Sequence, residues 1–125
     1  NMLTDQEIQQ AINTVSIGPN NLHEHPDCVR IAYAWLDAQK KIQSACRQSY
    51  PLKHYIEKWA GRYVSESDVK VAAYLHPEVK GKYPNYNISS NLIEPQRSRL
   101  FGISEAMTQL NYHESHDPKK YKYHE

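Results

Sequence analysis

Apolar residues recur at helical spacing in several separate stretches of the chain, each introduced by a recognisable start signal. Ile8, Ala11, Ile12 and Val15 follow Thr4-Asp5-Gln6-Glu7, a capping box in which Thr4 accepts from a first-turn amide and Glu7 reaches back; a helix is predicted over about 5–15. Gly18-Pro19-Asn20-Asn21 breaks it, and Pro26 opens a second helix, over about 26–43, at a position where its missing N–H costs nothing. Between Cys28 and Ala38 only Arg30 and Asp37 are charged, so this helix is apolar nearly all round and is expected to be the buried strut of the fold. Leu52, Tyr55, Ile56, Trp59, Ala60 and Tyr63 predict a third helix over about 51–63. Ser65-Glu66-Ser67-Asp68 is a second capping box, and Val69, Ala72, Ala73 and His76 carry the fourth helix, about 66–76, to its stop at Pro77.

From Pro77 to Ser90 prolines, Gly81 and turn-forming Asn and Ser residues predict a long ordered loop, with a short strand at Tyr86-Asn87-Ile88. Leu100, Ile103, Met107 and Leu110 restore helical spacing and predict a fifth helix over about 95–111, bent at Gly102; residues 112–125 are polar and expected to be a flexible tail. The fold class is thus mainly α: a compact bundle of about five helices in one domain, 2–111, with an ordered loop at about 77–90. Val29, Ala32, Trp35, Leu36, Leu52, Ile56 and Trp59 are expected to be buried together.

Composition narrows the chemistry. Of 125 residues only four are glycine, at 18, 61, 81 and 102, too scattered for a phosphate-cradling loop or a dinucleotide fingerprint. No apolar run approaches the roughly 18 residues of a membrane span, and no membrane partner is expected. Cys28 and Cys46 are too few for a disulfide scaffold and lack paired zinc spacing; both are expected to be free thiols in a reducing cytoplasm. Asn1 ahead of Met2 reads as a remnant of tag removal, with the native start expected at Met2. The net charge of +1 conceals a dipole: residues 2–38 set five carboxylates against Arg30, whereas 39–63 set six basic residues against Glu57.

Four kinds of site compete. For nucleic acid, Lys80, Lys82, Arg97 and Arg99 stand where phosphate contacts are expected, in a divergent helix-turn-helix-like region over 66–111, and Tyr83 and Tyr86 can stack on bases. Lys53, Lys58 and Arg62 are expected to extend that positive surface. The gap of about a dozen residues between helices is too long for a standard turn. For metal, His23-Glu24-His25 and His113-Glu114-Ser115-His116 are the candidates, but the second falls one residue short of HExxH, and no metal or cofactor is expected. For covalent catalysis, no GxSxG elbow exists and Cys28 lies in the most apolar helix. For protein binding, the ten tyrosines supply rigid amphipathic area, most exposed in the loop holding Tyr83 and Tyr86. Asn87-Ile88-Ser89 matches a glycosylation sequon and is read as chance.

Two stretches, His25-Pro26-Asp27-Cys28-Val29-Arg30-Ile31-Ala32-Tyr33-Ala34-Trp35-Leu36-Asp37 and Ser67-Asp68-Val69-Lys70-Val71-Ala72-Ala73-Tyr74-Leu75-His76-Pro77 onward to Asn87-Ile88-Ser89, resemble short accessory proteins of enterobacterial phages and prophages. The resemblance implies a setting of DNA-binding regulators and small inhibitors of host enzymes, and transfers no catalytic residue. The leading expectation is a non-catalytic accessory protein that acts by binding, nucleic acid first. An inhibitor or adaptor of a host protein comes second and a metal-dependent enzyme third.

Overall fold

The computed structural model describes residues 2–15, 21–45 and 52–125. Its first helix, α1 (Asp5–Thr14), starts at the expected capping box: the Glu7 amide donates to Thr4 Oγ1 at 3.1 Å and the Thr4 amide to Glu7 Oε1 at 2.9 Å. Helix α2 (Pro26–Ala38) opens with proline, and its His25 cap accepts from the Asp27 amide. It ends five residues before the expected 43, for two reasons. Lys41 Nζ folds back to donate to the Leu36 and Asp37 carbonyls, both at 2.9 Å, satisfying acceptors that the helix end would leave bare. Residues 40–42 are instead recruited as an extended segment against 87–89, with the Ile42 amide on the Asn87 carbonyl and the Ser89 amide on the Lys40 carbonyl.

Helix α3 (Leu52–Ala60) stops at Gly61, whose φ of +61° favours glycine; an added Cβ there would lie 2.7 Å from Met107 Sδ. Helix α4 (Glu66–Leu75) is framed by the second capping box and by Pro77. Val29, Ala32, Trp35, Leu36, Leu52, Ile56 and Trp59 are all buried, as the spacing predicts, but the main neighbour of α2 is α4 rather than α3. Among the described residues no helix is long and apolar enough to cross a membrane.

The second half departs from a plain bundle. The loop after Pro77 contains an antiparallel hairpin, β1 (Gly81–Lys82) with β2 (Asn85–Tyr86), where one short strand was expected slightly later. The expected helix over 95–111 is not continuous: a 3-10 turn at Arg97–Leu100 gives way to turns and a single helical turn, α5 (Leu110–His113). Gly102 at φ +84° and Met107 at φ +62° interrupt it, and the Met107 amide is committed to the Ala60 carbonyl at 2.7 Å. Leu100 and Ile103 are still buried, so the apolar spacing was real while the conformation was not helical.

Residues 112–125, polar in composition, pack onto the rest of the fold. Tyr121 is 5% exposed and accepts the Trp35 indole N–H at 3.0 Å. Beyond it, β4 (Tyr123–His124) pairs in parallel with β3 (Ile93–Glu94). Glu94 holds His116 and His124 at 2.7 Å each, and the Arg99 guanidinium grips Glu125 through two bonds. One buried tyrosine and paired backbone anchor a segment whose composition is otherwise polar. The chain is therefore helix-rich with short paired strands stitched across it.

Candidate functional site

The site is built on α4 and the hairpin that follows it. Asp68 fixes the start of α4: its Oδ2 accepts the Ser65 amide at 2.9 Å, its own amide donates to Ser65 Oγ at 3.0 Å, and its Oδ1 sits 2.7 Å from His23 Nδ1. The carboxyl is fully buried, and burial outweighs these bonds, leaving its pKa above the usual carboxylate range. The other end is fixed by His76, whose amide bonds to the Ala72 and Ala73 carbonyls and whose Nε2 lies 2.8 Å from Asp37 Oδ1. Between these pins the inner stripe is buried. The outer stripe, Glu66, Lys70 and Tyr74 at four-residue spacing, faces away from the core, with Tyr74 57% exposed.

The hairpin is held by Asn87. Its Oδ1 accepts the Lys80 amide at 2.6 Å, and its Nδ2 donates to the Glu78 and Ile42 carbonyls at 3.0 and 3.2 Å. The side chain is buried and fully used, so the sequon is structural. Register places Gly81 opposite Tyr86 and Lys82 opposite Asn85, turning Tyr86 inward to 3% exposure. Tyr83 packs edge-on against Tyr86 at 6.3 Å between ring centroids and is half-buried. Burial pushes its phenol up to about 12 and raises that of Tyr86 further.

Between the outer face of α4 and this hairpin the described residues bound an open groove of about 700 Å³. Lys70, Lys80 and Lys82 line it together with Tyr74, Tyr83, Pro77 and Val79. Lys70 pairs with Glu66 at 2.8 Å and also lies 6.0 Å from the Tyr83 ring centroid. Lys80 and Lys82 are exposed, and no carboxylate of the described residues forms an ion pair with either. They flank Gly81, whose φ of +112° lies outside extended backbone, and both line the groove.

Of the six residues expected to contact nucleic acid, Lys80, Lys82, Tyr83 and Tyr86 line this groove, Tyr86 being only 3% exposed. Arg97 and Arg99 lie elsewhere, on the 3-10 turn. Arg97 is exposed, but Arg99 donates Nη1 to Asp37 at 2.9 Å and clamps Glu125 at 2.6–2.7 Å, an arrangement that raises its pKa and neutralises it. Arg62, expected on the same positive surface, is buried between Glu24 and Glu105 at 2.9 Å each, and Lys53 pairs with Glu57 at 3.3 Å. Of the seven basic residues expected on one positive surface, Lys80 and Lys82 share the local cluster at the groove, while Lys58 lies beside Tyr55 and Lys120. Lys70 and Tyr74 belong to that cluster and were not singled out, because a charge and an aromatic ring on the outer face of a helix acquire meaning only when another element packs beside them.

The other candidates are tied into structure. Glu24 serves Arg62, His25 caps α2 and His23 serves Asp68, so the His23-Glu24-His25 run diverges. His113 and His116 stack at 5.2 Å, His113 Nδ1 facing the Lys58 carbonyl and His116 facing Glu94. Among the described residues no group of three or more His, Cys, Asp or Glu is arranged to hold a metal ion. The Cys28 thiol is buried, donates to the Tyr63 carbonyl at 3.4 Å, and is pushed up to about 12 by burial, which removes the thiolate that nucleophilic chemistry requires. Cys46 lies outside the described residues. The His23–Asp68 pair has the form of an acid–base dyad, but its free Nε2 is buried with no hydrogen-bond partner, and it holds the loop before α2 onto α4.

No protein-family model matches the chain, and neither a curated protein nor a solved structure matches it.

Proposed function

We propose that the protein acts by binding, that the groove between α4 and the β1–β2 hairpin is its contact surface, and that nucleic-acid phosphates are the groups its lysines meet. The reading rests on one observation: Lys70, Lys80 and Lys82 line a single groove together with Tyr74 and Tyr83. An ammonium beside a phosphate gains affinity largely by releasing condensed counterions. Two of the three lysines have no internal carboxylate to give up on binding. In a phage-type accessory protein this is a small, electrostatically driven contact. A second reading, an acidic segment of a host protein, is favoured by the apolar lining that Pro77 and Val79 add beside the lysines.

With three phosphates neutralised, the slope of log affinity against log salt is about −2 to −3, so raising salt from about 50 to about 200 mM should weaken binding by roughly 20- to 60-fold. Fluorescence anisotropy of a labelled oligonucleotide reads this directly. Reversing Lys80 and Lys82 together to Glu should lower affinity at about 50 mM salt by at least tenfold, while the melting temperature stays within about 2 °C, because exposed charges contribute little to folding. Absence of binding at that salt, or affinity unchanged in K80E/K82E, would overturn the reading.

A further inference from the structure

Resting on the nucleic-acid reading, we infer that the groove takes a single strand rather than a duplex, with bases stacked on Tyr74 and against the Tyr83 ring while Lys70, Lys80 and Lys82 meet successive phosphates.

Shape is the first argument. A duplex is a convex cylinder whose base edges are reached by something that protrudes, such as a helix or a ribbon entering a groove about 12 Å wide. Here the cations surround a concavity, and the hairpin beside it has strands of only two residues. The neighbouring convex face, the outer stripe of α4, carries Glu66 beside Lys70, and that carboxylate would oppose a duplex backbone laid across the helix. A single strand is thin and flexible enough to enter the groove and reach both walls.

Aromatic placement is the second. Tyr74 holds its ring 57% exposed on a helix face, where burying it elsewhere would be favourable, and it stands on the wall shared with Lys70. Tyr83 is backed by Tyr86 and so held rigid, with Lys70 close to its ring. Bases in a duplex already stack on one another and cannot use these faces, whereas each unpaired base has a free π-face worth a substantial factor in affinity when it stacks on an aromatic side chain.

Charge spacing is the third. Lys80 and Lys82 lie two residues apart on either side of Gly81, so their Cα atoms are at most about 7 Å apart, and both line the groove. That is of the order of the phosphate spacing in an extended single strand, and the two ammonium groups can therefore meet consecutive phosphates. Stacking platforms lined with cations are the general means of binding single strands without reading their sequence.

The test compares a labelled mixed-sequence 12-nucleotide single strand with the same sequence as a blunt duplex, by anisotropy at about 100 mM salt, for the wild type, K80E/K82E, Tyr74→Ala and Tyr74→Phe. The single strand should bind at least about fivefold more tightly than the duplex; Tyr74→Ala should weaken it by roughly tenfold, and Tyr74→Phe should keep most of the affinity. Thermal melts of each variant should superimpose on the wild type, since Tyr74 and both lysines are exposed. Equal or tighter duplex binding that still requires Lys80 and Lys82 would overturn the single-strand inference and leave the nucleic-acid reading standing. Unchanged single-strand affinity in Tyr74→Ala would overturn the stacking arrangement. Binding of neither nucleic acid, with a poly-glutamate peptide bound through Lys80 and Lys82, would overturn both and leave the acidic protein segment as the partner.

Discussion

Replacing Trp35 by alanine should destabilise the protein by about 3–5 kcal/mol, a large share of the 5–15 kcal/mol that holds a domain of this size together. The indole, in the last turn of α2, is fully buried, stacks on Tyr55 at 6.4 Å and donates its N–H to the Tyr121 hydroxyl. Truncation therefore opens a cavity that the fixed helix pairs around it cannot close, and strands a buried hydroxyl as well. The effect should be visible as a fall in melting temperature of roughly 10–20 °C. Because Tyr121 anchors the C-terminal segment, the variant should also expose residues 118–125 to limited proteolysis at temperatures where the wild type resists. Unchanged protection of that segment would show that the β3–β4 pairing and the Arg99–Glu125 clamp suffice without the tryptophan.

Asp68→Ala should cost about 3 kcal/mol, despite being a polar substitution near a helix start. The side chain closes the capping box with Ser65 and holds His23, so its loss leaves a Ser65 amide and a histidine N–H without partners in a buried place. Loss of a cap contributes about 1 kcal/mol, and the stranded donors supply the rest. Part of the loss is offset, since burying the charged carboxylate is itself unfavourable, as its raised pKa shows. Asp68→Asn retains one acceptor and should recover about half. Chemical denaturation with the m-value held constant distinguishes these outcomes. A cost below about 1 kcal/mol for the alanine variant would mean that the loop before α2 is not pinned through Asp68.

Local signals were legible and distant partners were not. Both capping boxes, Thr4 with Glu7 and Ser65 with Asp68, could be read because their two members lie three residues apart and act on each other's amides. The same locality located the four long helices to within a few residues at most of their ends. The end of α2 was overrun because its terminator is Lys41 folding back and a segment near residue 88 competing for residues 40–42. The apolar spacing of Leu100, Ile103 and Met107 suggested a helix, yet what it encodes is a series of turns laid over the end of α3, dictated by the Met107 amide bonding to Ala60. The anchoring of Tyr121 depends on a residue 86 positions earlier, and nothing in the composition of 112–125 reveals it. At the site, Lys80, Lys82 and Tyr83 were visible as a basic aromatic loop. The near-complete burial of Tyr86 is not legible, because inward and outward positions on a two-residue strand depend on register. The pairing of Arg99 is not legible either, because its partners Asp37 and Glu125 lie 62 and 26 positions away.

The most direct test of the groove as the contact surface is residue-resolved: ¹H–¹⁵N spectra of the labelled protein titrated with an unlabelled 12-nucleotide single strand at low salt. Amide perturbations concentrated at Lys70, Tyr74 and Lys80–Tyr83, absent or much reduced in K80E/K82E at the same concentrations, are the expected result. Perturbations concentrated instead at Lys119, Lys120 and Lys122, with the groove amides unmoved, would contradict it.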